Sequence, residues 1–281
     1  MSSSIVLLGG PDSGKTNYVG RVWPALDEGK GSLHAAEQPQ DIRFVLDVTD
    51  HLNSGSFAPR SEHADDRRDF EVVVAAEKGG DRTTIVIPDI SGELWLNAAE
   101  QGEVSAELMD EMRSADGGLL FVRVNSEADV RPLNWVTSKN MLAKLGNEDD
   151  KGLPTQVMLC ELLRFLETTL SQRRDGEPPR LSVVVSAWDL VDPQKFEQGP
   201  KAWLEREYPL AAGRLDDIEG IELRVFGLSV VGGDLKVDEK CRDDVQENGL
   251  DGRGWIAVEG DDGVWRKDTD LTLPIAWAVG S

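Results

Sequence analysis

The chain has 281 residues and a formal net charge of −22, with 52 acidic against 30 basic side chains. A surface this acidic repels phosphate backbones and argues against direct nucleic-acid binding, and no apolar run is long enough to span a bilayer. Cys160 and Cys241 offer neither metal-site spacing nor a disulfide framework, and Met-Ser-Ser-Ser carries no basic leader, so a cytoplasmic location without membrane association is expected.

Ile5–Leu8 is a short continuous apolar run, the pattern of a strand buried on both faces. Directly after it, Gly9-Gly-Pro-Asp-Ser-Gly-Lys15-Thr16 fits G-x-x-x-x-G-K-[ST]. A helix is predicted to start in this loop and end near Pro24, and a second to lie within 39–54. The stretch from there to Asp69 is polar and acidic. Phe70–Ala75 and Thr83–Pro88 read as a hairpin pair around Lys78-Gly-Gly-Asp81. Ser105–Met112 is a predicted short helix, Gly118–Val124 a strand, and 125–153 a polar insert. Leu159, Leu162, Leu163, Leu166 and Leu170 then recur at helical spacing. Leu181–Ser186 is a further apolar strand, Trp203–Leu215 a helix, and Glu222–Leu228 the last core strand. The tail 232–269 is rich in Gly and Asp, with a hairpin at Trp255–Val258 and Gly263–Arg266, and Asp270–Trp277 begins a terminal helix.

This alternation predicts an α/β fold of three layers: a mostly parallel central sheet, helices on both faces and one antiparallel strand. With no internal repeat and no clean boundary, 1–281 reads as a single domain. Its embellishments are an extended region at about 25–69, the insert at about 125–153 and a hairpin/helix extension at about 232–281.

The loop after the first strand suits a nucleoside triphosphate, because glycines let backbone N–H groups approach phosphates closer than a Cβ allows. Gly9, Asp12, Ser13, Gly14, Lys15, Thr16 and Asn17 are its candidate binding residues, with Lys15 reaching the β/γ-phosphates and the Thr16 hydroxyl on Mg²⁺. Inside so acidic an envelope Mg²⁺ and Lys15 become more necessary. Thr83-Thr-Ile-Val-Ile-Pro-Asp89-Ile-Ser-Gly92-Glu93 places a carboxylate, Asp89, at a strand end beside the metal, and Gly92 three residues on offers its N–H to the γ-phosphate. Val183-Val-Val-Ser186-Ala187-Trp188-Asp189 also ends an apolar strand. Asp189 can accept from the ring N–H and exocyclic amine of guanine, Ser186 is a small hydrogen-bonding partner, and Trp188 either covers the base or packs into the core. A last recognition loop would be Gly227–Val230, with Ser229 and Val230 at the base.

The order of these motifs resembles the Ras-like, translation-factor-related class of P-loop GTPases over most of residues 1–230. The wording GGPDSGKT … DISGE … SAWD resembles, more narrowly, the bacterial double-GTPase families of conflict and defence operons. That resemblance implies a GTP-gated switch, Mg²⁺ and GTP or GDP as ligands, and a protein effector or activator encoded nearby. The chain departs from the family pattern in three places. No Thr lies between Thr49 and Thr83 to serve the first switch, so Ser61 is the candidate ligand of Mg²⁺. Glu93 stands where a water-positioning Gln is usual, which implies slow hydrolysis. Ala187 replaces the Lys whose stem covers the base. Arg60, or an arginine from a partner, is the candidate finger. Two other readings stand beside the switch: a nucleotide-binding pseudo-GTPase acting as an interaction module, and a P-loop kinase or ATPase, for which no arginine-rich lid is found. His34, His51 and His63 have no metal spacing, and Trp95 is expected on the second switch, where it could relay nucleotide state.

Overall fold

The computed structural model describes residues 2–39, 41–59, 68–76, 82–132, 152–170, 172–173 and 175–280. The first half runs β1 (Ser2–Leu8), α1 (Lys15–Glu28), β2 (His34–Ala35), α2 (Arg43–Asn53), β3 (Arg68–Ala75), β4 (Arg82–Asp89), α3 (Gly92–Gln101), α4 (Ala106–Ser114) and β5 (Gly117–Arg123). The second runs α5 (Thr155–Thr169), β6 (Arg180–Ser186), a 3₁₀ turn (Trp188–Leu190), α6 (Pro193–Phe196), α7 (Gly199–Glu207) and α8 (Pro209–Asp217). It closes with β7 (Glu222–Ser229), α9 (Glu239–Asn248), β8 (Trp255–Glu259), β9 (Trp265–Asp268) and α10 (Leu273–Val279).

All described strands join one sheet in the order β2-β3-β4-β1-β5-β6-β7-β8-β9. The middle five, β4, β1, β5, β6 and β7, are mutually parallel. Two strands oppose that block, not one as expected. β3 runs against β4, and β8 runs against β7 at the far side, with β2 and β9 pairing outside them. Short turns permit only antiparallel neighbours, whereas each parallel step needs a crossover. The short β8–β9 turn makes an antiparallel hairpin, and the pairing of β8 with β7 across a longer connection containing α9 adds that hairpin to the sheet.

The unbroken hydrophobicity of β1 follows from burial on both faces. Ile5 and Leu7 pack with Tyr18 and Val22 of α1 and Ile275 of α10. Val6 and Leu8 pack with Trp95 of α3 and Leu162 and Leu166 of α5. A third cluster joins Val48 and Leu52 of α2 to Val245 of α9.

Several elements depart from expectation for local reasons. Helix α1 continues through Pro24 and ends at Gly29, whose φ of 62° suits a glycine cap. Pro24 deprives the Gly20 carbonyl of its helical donor. The Thr49 hydroxyl on α2 reaches that carbonyl at 2.8 Å, sharing its one proton between it and the Val45 carbonyl of its own helix, also at 2.8 Å. Gly20 also permits this approach, since a Cβ there would fall 2.2 Å from Cγ1 of Val48. The helix expected over 203–215 is two, α7 and α8, broken at Tyr208 (φ −134°, ψ 59°) because Pro209 disfavours helical geometry in the residue before it. Helices α3 and α9 were not anticipated; Ser91 and Asp238 cap them by accepting from Leu94 and Cys241 N–H groups. Residues 60–67 and 133–151, within the expected extended region and insert, lie outside the described residues.

Candidate functional site

Because the middle strands are parallel, the loops after β1, β4 and β6 emerge on one edge of the sheet, where open α/β sheets bind ligands. The loop after β1 is curled by positive φ at Gly9 (141°), Asp12 (59°) and Gly14 (92°). A Cβ on Gly9 would sit 2.7 Å from the Phe121 carbonyl oxygen. Lys15 is buried, and its Nζ donates to the carbonyls of Gly9 (2.7 Å) and Gly10 (3.2 Å) and to Ser13 Oγ (3.2 Å). An ammonium held inside the loop, at the N-terminus of α1, is a ready anion site.

Two side chains brace this loop from neighbouring strands. Ser186, the last residue of β6, donates through Oγ to the Ser13 carbonyl at 2.7 Å. Arg123, the last residue of β5, donates from Nη1 to Asp12 Oδ1 at 2.7 Å, while the Ser126 hydroxyl and the Glu127 N–H both donate to Oδ2 at 3.1 Å. The Asp12 carboxylate thus holds the loop in shape, and what it offers a phosphate is its backbone.

Beneath the loop is a cleft bounded by Gly10–Asn17, Ala58, Pro59, Ile90–Glu93 and Arg123. Gly92 touches the loop closely: a Cβ on it would lie 2.4 Å from the Pro11 nitrogen and 2.5 Å from the Gly10 carbonyl. Gly92 and Glu93 open α3, whose positive end faces the cleft. Thr16 lines the same space. Asp89 ends β4, and only its backbone is described; Arg60 and Ser61 lie outside the described residues. No group of three or more His, Cys, Asp or Glu capable of holding a metal occurs among the described residues. The Thr16 hydroxyl in this cleft is a hard oxygen donor of the kind that suits Mg²⁺, which is usually held by one or two side chains together with substrate phosphates.

A second cleft adjoins the first and shares Gly14, Asn17 and Arg123 with it. Phe57, Ala187, Asp189, Val230 and Asp234 complete most of its wall. Burial raises the Asp189 pKa above its ordinary 3.8; a hydrogen bond with Ser229 and one to the backbone oppose this, the Asp234 charge adds to it, and Arg123 lowers it. The Ser229 hydroxyl also accepts from the Gly232 N–H at 3.0 Å, fixing the turn after β7. Asn17 Oδ1 accepts from the Ala58 N–H at 3.0 Å and so ties the 54–59 loop to α1.

Of the sequence-derived residues, Gly9, Asp12–Asn17, Gly92, Glu93, Ser186, Asp189, Ser229 and Val230 meet around these two clefts. Trp188 does not. It is 1% exposed and packs edge-on to Trp203, and a Cβ on Gly227 would strike its ring at 2.6 Å. Trp95 is fully buried, donating from Nε1 to the Leu7 carbonyl at 3.0 Å, so it anchors α3 to β1 and presents nothing to a partner. Sequence reasoning missed Phe57, Arg123 and Asp234. A charge closing an apolar strand at the ligand edge was the available signal for Arg123.

A family model described as Double-GTPase 1 matches residues 6–278. The chain belongs to the Double-GTPase 1 family. Its resemblance to the double-GTPases, drawn from GGPDSGKT, DISGE and SAWD, therefore holds, and GTP binding by a GTPase fold comes with it. The match reaches into α10. A search of curated proteins found no match. Among the described residues no helix is long and apolar enough to cross a membrane.

Proposed function

We propose that this Double-GTPase 1 member is a cytoplasmic, single-domain GTP-gated switch with slow intrinsic hydrolysis, stimulated by a protein partner within a bacterial conflict or defence system. The observation that carries this reading is the continuity of the two clefts: one is walled by the phosphate loop and the start of α3, the other holds Asp189 and Asp234. Guanine presents adjacent donors, its ring N–H and exocyclic amine, and two carboxylates match donors. Adenine would turn a ring acceptor toward the same oxygens and leave them unpaired, which costs affinity.

Thr16 and Asp89, with Ser61 from the first-switch segment, are the residues to hold Mg²⁺, which when bound neutralises phosphate charge. Lys15 lies where it can leave its carbonyl partners for phosphate oxygens. The Gly92 N–H at the tip of α3 is the γ-phosphate sensor, and its release after hydrolysis would free α3 from the loop. Glu93 borders the phosphate cleft. A carboxylate can orient water there, but repulsion from the triphosphate slows the reaction. An arginine, Arg60 or a partner's, would add roughly 10³–10⁵-fold.

Calorimetry with GTP, ATP and a non-hydrolysable GTP analogue in Mg²⁺ tests this reading. GTP should bind and ATP should not, and Lys15→Ala should abolish binding. Equal or better ATP binding sinks the guanine assignment and favours a kinase or ATPase. Binding of GTP without turnover, even with candidate partners, favours the pseudo-GTPase reading.

A further inference from the structure

The base pocket has its edge readers in Asp189 and Asp234, yet the two elements expected to cover the faces of the base do not do so. Ala187 carries only a methyl group, and Trp188 is turned into the core. Sheet register supplies a substitute. Arg123 pairs with Ser186 across β5 and β6, so a guanidinium from the neighbouring strand stands beside the base-reading loop. It is held by Asp12 and its side chain is only 15% exposed. Its Nε is buried with no hydrogen-bond partner among the described residues. Opposite it stands Phe57, with the guanidinium carbon 6.0 Å from the ring centroid, and both line the pocket.

We propose that Arg123 and Phe57 clamp the two faces of the base, Arg123 replacing from another strand the cation missing at Ala187. The inference rests on the guanine-nucleotide reading above and adds the residues that give it base affinity. Packed carbons approach to about 3.5–4.0 Å, so a base between the two groups needs about 7–8 Å. The 6.0 Å gap must therefore open by about 1–2 Å. Phe57 supplies that movement by rotation of its side chain, since Asn17 ties its loop to α1 and Arg123 is fixed by its ion pair. Guanidinium and phenyl faces both suit a purine: the cation stacks on its π-system, and the ring adds apolar contact. The clamp grips faces and is indifferent to the edge, so discrimination between guanine and adenine stays with the carboxylates.

The test compares GTP·Mg²⁺ with inorganic tripolyphosphate·Mg²⁺ by calorimetry on the full chain. Phe57→Ala should weaken GTP on the order of tenfold to a hundredfold, the usual value of a stacked base, and leave tripolyphosphate within a few-fold. Arg123→Ala also unpairs Asp12 and so weakens both ligands, GTP by that further factor beyond tripolyphosphate. Phe57→Tyr should bind GTP like the wild type. Arg123 also braces Asp12, so equal losses for both ligands in Arg123→Ala would assign it to the phosphate loop and overturn the clamp. Unchanged GTP affinity in Phe57→Ala overturns it as well, and that loop variant does not disturb Asp12. A wild type that binds GTP while these variants lose nothing defeats the clamp alone; a wild type that binds no guanine nucleotide defeats the switch reading and the clamp with it.

Discussion

The passage of α1 through Pro24 depends on one side chain from another helix, and this can be measured. Thr49→Val keeps the shape of the side chain and removes the hydroxyl whose one proton is shared between the Gly20 and Val45 carbonyls, each at 2.8 Å. Gly20 is buried beneath Val48, and Pro24 has no N–H to offer, so the carbonyl is left without its donor. An abandoned acceptor of this kind costs about 1–3 kcal/mol, and the partial exposure of Thr49 points to the lower part of that range. A melting-temperature drop of roughly 2–4 °C per kcal/mol follows for a domain of this size class. Pro24→Ala restores a donor to the same carbonyl. In that background Thr49→Val should lose most of its effect, giving a coupling of about 1 kcal/mol in a double-mutant cycle read by urea unfolding. The same cost in both backgrounds would refute the idea that Thr49 stands in for the missing N–H. The consequence reaches the site, because α1 begins at Lys15 and α2 leads into the loop carrying Phe57.

In the proposed reading Asp189 must be ionised to accept from guanine, and burial has raised its pKa. GTP affinity, measured against tripolyphosphate, should therefore fall on acidification earlier than an ordinary carboxylate near 3.8 would cause. Asp189→Asn should flatten that profile and move preference toward xanthine nucleotides; a pH profile identical to the wild type would show that Asp189 does not read the base. Stability of the ligand-free protein should move the other way. A folded pKa above the unfolded one contributes stability below the unfolded pKa that is lost as pH rises through the folded pKa, so Asp189→Asn should raise the neutral-pH melting temperature. Gly92→Ala places a Cβ 2.4 Å from loop backbone that cannot rotate away, and should destabilise by about 1–3 kcal/mol and weaken GTP binding; wild-type values for both would disprove the contact. Ser186→Ala removes the 2.7 Å brace on the Ser13 carbonyl and should lower stability by about 1–3 kcal/mol, with several-fold weaker GTP and tripolyphosphate alike.

The parts of this protein that could be read from sequence are those whose chemistry is local. The phosphate loop is eight consecutive residues between a strand and a helix, and its glycines, Lys15 and Thr16 serve one another at short range. The apolar strands were legible because burial on both faces leaves a continuous hydrophobic run. Pro24 misled for the opposite reason: the donor that replaces its N–H lies on α2, and no local pattern announces it. Helix α3 was hidden because Ser91 and Gly92 read first as a phosphate-sensing segment, although Ser91 is also the cap that starts the helix.

The base pocket carries the same argument into function. Phe57, Arg123, Asp189 and Asp234 come from four separate stretches of chain. They meet only because β5 neighbours β6 and because Asn17 holds the 54–59 loop against α1. A motif search sees Asp189 and finds Ala187 deficient, since it looks for the covering cation one position along the same loop. A parallel sheet offers another solution: residues at the ends of adjacent strands stand about 4.7–4.9 Å apart, close enough for one strand to complete a site begun on the next. Arg123 and Ser186 are such a pair, and each also braces the phosphate loop. On the proposed clamp, the Ala187 departure does not mark a degenerate site, because Arg123, held by Asp12 of the phosphate loop, takes the place of the missing cation.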